Sequence, residues 1–146
     1  MATKSESFFC LLDELETSHK LLCAGFGCLQ EIDFANDFYH LPHQLLASGL
    51  ERLMKSYISL VYQDQYGAFP DMALMKKLGH DLENLQKIIC TQYYGGLTRP
   101  LIKCEHEFLM NDNTLKNEIR ILSQFGRYGR YYNLDVVAGD KATNIL

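Results

Sequence analysis

Apolar residues recur at spacings of three and four through most of the chain, the period of a helix with one buried face. In "ESFFCLLDELETSHKLLCAGFGCLQ", residues 6–30, that face carries Phe8, Leu11, Leu12, Leu15, Leu22, Phe26 and Leu29. Ser5 or Ser7 stands where an N-cap is wanted. Gly25 and Gly27 predict a kink or an end, because each glycine costs about 1 kcal/mol in a helix interior. A second helix is predicted over "PHQLLASGLERLMKSYISLVY", Pro42 to Tyr62, with Leu46, Leu50, Leu53, Tyr57 and Leu60 as its buried stripe. Pro42 suits a first turn, where its missing N–H has no helical acceptor. A start before Pro42 predicts a kink. Ala47, Ser48 and Gly49 form a small-residue face that lets another helix come close. "QDQYGAFPD" reads as a loop.

The pattern continues in shorter pieces. "DMALMKKLGHDLENLQKIICTQYY" predicts two helices divided at Gly79, with Asp81 capping the second and Leu82, Leu85, Ile88 and Ile89 forming its apolar face. "YGGLTRP" interrupts the chain, and "LIKCEHEFLM" predicts a short helix. Asn113 or Thr114 is placed to cap "LKNEIRILSQFGRYGRYY", whose Leu115, Ile119, Leu122 and Phe125 share a face. Strand character is confined to "LDVVA", Leu134 to Ala138. No internal repeat or low-complexity segment occurs. The pattern predicts one all-α domain over residues 1–146, an up-and-down antiparallel bundle of four to five helices.

Composition narrows the function classes. Hydrophobic residues make up 47% and charged residues 22%, an ordinary globular balance. No apolar run approaches the roughly 18 residues of a membrane span, so no membrane partner is expected. "MATKSESFF" lacks the features of a secretory signal. Five cysteines form an odd set with no C-x-x-C pair, which favours reduced thiols and a cytoplasmic protein. The net charge of -4 is uneven: residues 1–37 hold two lysines against seven acids, and the remainder is nearly balanced. An overall basic field is absent, so any contact with phosphate must be local.

Few motifs carry chemistry. His19 and Cys23 stand four apart, Cys28 is near, and His40 and His43 stand three apart. Zinc needs about four convergent ligands, or three with water, and these pairs fall short, so no metal is expected. No nucleophile elbow, Walker loop or H-E-x-x-H pair is present, and no cofactor is implied. In "CEHE", Cys104 to Glu107, adjacent helical side chains point apart. "GHDLENL" has a complete structural account in which glycine stops one helix, aspartate caps the next and leucines pack; His80 could equally line a cleft. The cluster "RYGRYY", Arg127 to Tyr132, is the richest. Guanidinium groups recognise phosphate bidentately and aromatic faces stack on bases. Against that, Tyr128, Tyr131 and Tyr132 could bury their rings at a helix end while the arginine stems cover apolar surface.

Three separated pieces, "FYHLPHQLLASGLERLMKSYI", "GHDLENL" and "LSQFGRYGRYYNLD", together resemble the HEPN superfamily. The family pattern runs from F-x-x-x-Q-x-x-x-E-K-x-L-K-A through H-D-L-x-x-L to a late helix ending in R-Y. Phe38, Gln44, Glu51, Arg52 and Lys55 occupy the first set of places, with spacing approximately preserved. His80, Asp81, Leu82 and Leu85 match the second, and Arg127-Tyr128 or Arg130-Tyr131 the third. The match spans about residues 38–135.

The resemblance implies a helical bundle, commonly a homodimer, that handles nucleotide or RNA. Many members accompany a small nucleotidyltransferase in toxin–antitoxin or defence systems, which makes such a protein an expected partner. The ribonuclease branch carries Arg-x(4–6)-His on the late helix. Here no histidine follows Arg127 or Arg130. Arg99 and His106 in "RPLIKCEH" match that spacing formally, before the expected helix and with Pro100 directly after the arginine. Without a placed imidazole, no group is evident to move protons near neutral pH. The expectation is a non-catalytic nucleotide- or RNA-binding module with Arg127, Tyr128, Arg130 and Tyr131 as contacts. The alternatives are a metal-independent ribonuclease drawing on His80 or His106, and a helical module that binds only protein.

Overall fold

Two long helices form the spine of the molecule, and two glycines set how closely they pack. In the computed structural model, residues 3–34, 39–94, 99–129 and 132–139 are described. Phe38, Arg130 and Tyr131 lie outside them. Helices α1 (Lys4–Gln30) and α2 (His40–Tyr66) are each 27 residues, about 40 Å long. They run antiparallel: Glu14 meets Arg52, Ser18 meets Gly49 and Gly25 meets Leu46, one number rising as the other falls. A Cβ on Gly25 would stand 2.7 Å from Leu46 Cγ, and one on Gly49 would stand 2.9 Å from Leu22 Cγ. Each backbone is therefore met by a leucine of the other helix. The buried Ser18 hydroxyl donates to the Gly49 carbonyl at 2.9 Å and fastens the same crossing.

Several local expectations change for physical reasons. Helix α1 passes straight through Gly25 and Gly27. Tertiary packing against Leu46 outweighs the propensity cost at Gly25. The N-cap is Thr3, in a capping box with Glu6, and not Ser5 or Ser7. Helix α2 begins at His40 with Pro42 buried in its first turn, and it continues past Tyr62 to Tyr66. It stops where Gly67 takes the left-handed conformation at φ 74°. The expected stripe on α2 holds at Leu46, which is buried, and at Leu50 and Tyr57, which pack on the core; Leu53 is exposed, and Ala47, Met54, Ile58 and Val61 face the core as well. Helix α2 is flanked on different sides by α1 and by later helices, so no single stripe describes its burial.

Helices α3 (Met72–Leu78) and α4 (Leu82–Ile88) divide at Gly79 as expected, and a π-helical turn over Ile89–Tyr93 prolongs α4. After α5 (Pro100–Asn111), helix α6 (Asn113–Gln124) is capped by Asp112, not by Asn113 or Thr114. A second π turn follows over Phe125–Gly129, and then α7 (Tyr132–Val137). Leu134–Ala138 is thus not a strand. The Ala138 N–H donates to the Leu134 carbonyl at 2.8 Å, closing a helical turn. Among the described residues there is no strand for it to pair with, and a helix satisfies its backbone locally.

The result is an all-α bundle of seven α-helical segments among the described residues, more than the four or five expected because the later helices are short. Ile58, Leu78, Leu82, Leu85, Tyr93 and Ile119 form the core between α2, α4 and α6. No described helix is long and apolar enough to cross a membrane.

The two glycines of α1 separate packing from propensity. Gly27→Ala meets nothing within 4 Å and is expected to stabilise the protein by about 0.5–1 kcal/mol. Gly25→Ala drives a methyl into Leu46 and is expected to destabilise it by about 1–3 kcal/mol. Thermal or urea unfolding of the two variants checks the opposite signs.

Candidate functional site

The Asp81 carboxylate, between α3 and α4, holds the site together. Gly79, at φ 67°, turns the chain out of α3 so that Asp81 arrives at the start of α4 in extended conformation. Its Oδ1 accepts from the Glu83 and Asn84 backbone N–H groups at 3.0 and 3.2 Å, capping α4. The same oxygen accepts the Ser123 hydroxyl of α6 at 3.0 Å. Ser123 in turn accepts from the buried Leu82 N–H at 3.0 Å. Oδ2 takes Arg127 Nη1 at 2.9 Å, an ion pair whose side chains are 44% and 34% exposed. One carboxylate thereby joins the loop, α4, α6 and the second π turn.

His80 turns the other way. Its Nδ1 lies 2.8 Å from Glu51 Oε1 on α2, which also receives Lys55 Nζ at 2.8 Å. The His80 side chain is 77% exposed and that of Glu51 only 20%. Burial pushes the Glu51 carboxyl up, but the hydrogen bonds and charges of Lys55 and His80 outweigh it and hold the group below its ordinary range. With Nδ1 engaged by a carboxylate, the ring presents Nε2 to solvent.

Two recesses share Glu51 and His80. Between α2 and the second π turn, beside Gln44 and Phe125, lies a pit of about 10 Å³, room for a single water. Toward α1 and α3, a polar cleft of about 400 Å³ is lined by Glu14, Arg52, Lys55, Ser56 and Met75. That volume lies within the range of small-molecule sites. Arg52 closes one flank through its bond to Glu14.

Directly after Gly126, which lines the pit, Arg127 and Tyr128 stand together. The guanidinium carbon is 5.4 Å from the Tyr128 ring centre, within reach of a cation–π contact, and Tyr128 is 54% exposed. Neither is buried as a helix-end plug. The π turn that carries them is anchored from α2: His40 Nε2 lies 2.6 Å from the Gly129 carbonyl and its ring meets Phe125 edge-on at 4.7 Å. The comparable contacts of Arg130 and Tyr131 fall outside the described residues.

Comparison of the chain with family models, with curated proteins and with solved structures returns no match. Any functional reading therefore rests on the residues and their geometry.

The structure brings His80, Arg127 and Tyr128 to one side of the bundle, with Gln44, Glu51 and Lys55. Arg99 and His106 are elsewhere. His106 Nε2 donates to the Cys90 carbonyl at 2.9 Å and its ring stacks on Tyr94, tying α5 to the first π turn. Arg99 is the N-cap residue of α5 and makes no capping bond through its side chain. Sequence reasoning missed Ser123 and the depth of Glu51's involvement. Ser123 carried no signal, since a serine within an amphipathic helix reads as surface. Glu51 was legible only as a motif position. His19 and Cys23 approach to 3.6 Å, and among the described residues no group of three or more potential ligands forms a metal site. All five cysteines are free, and burial raises the Cys90 thiol above its usual range, so it is a packing residue.

Two consequences are measurable. Ser123→Ala strands the buried Leu82 N–H and is expected to destabilise the fold by about 1–3 kcal/mol without changing helix content. Glu51 has a depressed pKa, so its stabilisation is full above its unfolded value near about 4.3 and fades as pH falls through the lower folded value. The stability gap between wild type and Glu51→Gln should accordingly narrow in acid, as urea unfolding across pH 3–7 (roughly the carboxylate range and above) would reveal.

Proposed function

We propose that this side of the bundle binds a phosphate-bearing ligand, a nucleotide or single-stranded RNA, without cleaving it. The observation that carries the reading is the exposed Arg127–Tyr128 pair, which follows directly on Gly126 of the pit wall. Arg127 offers its remaining donors to phosphate, and Tyr128 offers a ring face to a base. The pit is too small for a ligand, so the phosphate is placed at Arg127 outside it, while the cleft that shares Glu51 and His80 with the pit is large enough for a nucleoside. Arg130 and Tyr131 belong to the same proposed contact set. The HEPN resemblance of the motif residues supports the same ligand class, and with it a toxin–antitoxin or defence setting beside a nucleotidyltransferase.

Replacing Arg127 with alanine should weaken binding of AMP and of a labelled oligoadenylate roughly tenfold or more, as expected for a charge-assisted contact of about 1.5–3 kcal/mol. Lysine should restore only part, because it lacks the planar fork. Fluorescence anisotropy and calorimetry measure both, with circular dichroism confirming the fold. Unchanged affinity in Arg127→Ala would remove the proposal.

A ribonuclease reading is favoured by one specific observation, the exposed His80 imidazole oriented by Glu51. That pairing is the geometry of a general base. Cleavage of the same oligoadenylate by the metal-free protein, abolished in His80→Ala, would establish that reading in place of the binding-only one.

The proposal includes a homodimer. Of the small residues of α2, Gly49 packs against α1 and Ala47 against Gly126 of the second π turn, so the dimer contact is placed on α6. Its Ile121 is 49% exposed beside an apolar groove between α1, α2 and α6. Light scattering is expected to give twice the 16.8 kDa chain mass, and Ile121→Asp is expected to return the monomer.

A further inference from the structure

We propose that Asp81 is a built-in competitor for Arg127, an internal carboxylate that occupies the guanidinium until the ligand's phosphate displaces it. This rests on the reading of Arg127 as a phosphate contact and adds how that contact is regulated. The two oxygens of Asp81 divide the work. Oδ1 alone accepts the Glu83 and Asn84 N–H groups and the Ser123 hydroxyl, at 3.0, 3.2 and 3.0 Å. Oδ2 has Arg127 Nη1 as its hydrogen-bond partner among the described residues, at 2.9 Å. The cap of α4 and the α4–α6 junction therefore survive when Oδ2 loses its partner.

The contact is built to be exchangeable. It is a single N–H···O bond between side chains that are 44% and 34% exposed, the kind of ion pair that contributes little in water. Among the described residues, the other guanidinium nitrogens of Arg127 have no hydrogen-bond partner. A phosphate can take two parallel bonds from the fork where the carboxylate holds one. His80 does not share the carboxylate, since its ring bonds Glu51 instead. Asp81 thus sets a threshold: a weakly held anion does not displace it, and a phosphate that engages the fork does.

Asp81→Asn tests this directly. Asparagine is as good an N-cap as aspartate, and its amide oxygen can keep the Oδ1 bonds while the amide group replaces Oδ2. The full chain is titrated with a fluorescein-labelled oligoadenylate in four forms: wild type, Asp81→Asn, Arg127→Ala and the double variant. The expected result is about a two- to fivefold gain in affinity for Asp81→Asn, the range of an exposed ion pair. Arg127→Ala is expected to lose binding, and Asp81→Asn is expected to add nothing once Arg127 is gone. If Arg127→Ala weakens binding but Asp81→Asn leaves it equal or weaker, Asp81 positions the arginine and the competitor is overturned while the phosphate reading stands. If Arg127→Ala binds like wild type, both fall. Should Asp81→Asn unfold, side-chain NMR of the wild type decides. The Asp81 carboxyl carbon and the Arg127 guanidinium signals should move together with one midpoint as oligoadenylate is added. A static Asp81 carboxyl overturns the proposal.

Discussion

The contact on which the α4–α6 side of the bundle depends is the Asp81 carboxylate at the start of α4. Helix α4 has seven residues, too few for its own hydrogen bonds to hold it in water. The cap supplies acceptors for two of its orphan N–H groups, and Ser123 supplies one for Leu82. Leu82 and Leu85 are then delivered fully buried into the core against α2 and α6. The same carboxylate also pairs with Arg127 at 2.9 Å. The bonds that cap a short helix and the bond that holds a surface arginine are thus made by one side chain through separate oxygens.

The long hairpin of α1 and α2 follows a different rule. Its seam is set by Gly25 and Gly49, each facing a leucine of the opposite helix, and by the Ser18–Gly49 hydrogen bond. Gly49 of α2 serves the closeness of this intramolecular crossing, whereas Ala47 meets Gly126 of the second π turn. Much of the apolar surface of α1 stays in solvent, with Phe8, Phe9, Leu12 and Phe26 all exposed. The packing of α1 rests chiefly on its contact with α2.

Each π turn contains a carbonyl that a histidine satisfies. His106 reaches Cys90 from α5, and His40 reaches Gly129 from the first turn of α2. Terminal carbonyls of a helix lack internal partners, and an imidazole N–H from a neighbouring element both satisfies one and pins the turn. Two histidines are thereby engaged in structure. His80, which among the described residues pairs with a carboxylate and is largely exposed, is the imidazole facing the recess. Its proximity in sequence to Asp81 gives the Gly79–Asp81 loop two opposed contacts, one to α2 and one to the second π turn.

The sequence by itself determined the all-α class, because three- and four-residue spacing is a local property that survives without tertiary information. It also determined the break at Gly79 and the cap at Asp81, where backbone freedom and a carboxylate acceptor act within a few residues. Positions such as Thr3, Asp112 and the end of α2 at Gly67 were within reach of the same local rules, yet competing candidates stood beside them. Leu134 to Ala138 failed because a pair of valines signals strand only when a partner strand exists. What the tertiary structure alone decided was which groups meet. Gly25 reads as a helix breaker until Leu46 is seen against it, and Ser123 reads as surface until it is found between Leu82 and Asp81. Arg99 and His106 satisfied a spacing rule, and the fold placed His106 against the first π turn instead. The reason is common to these cases: contacts between residues far apart in sequence leave no periodic trace, since each depends on the position of a whole helix.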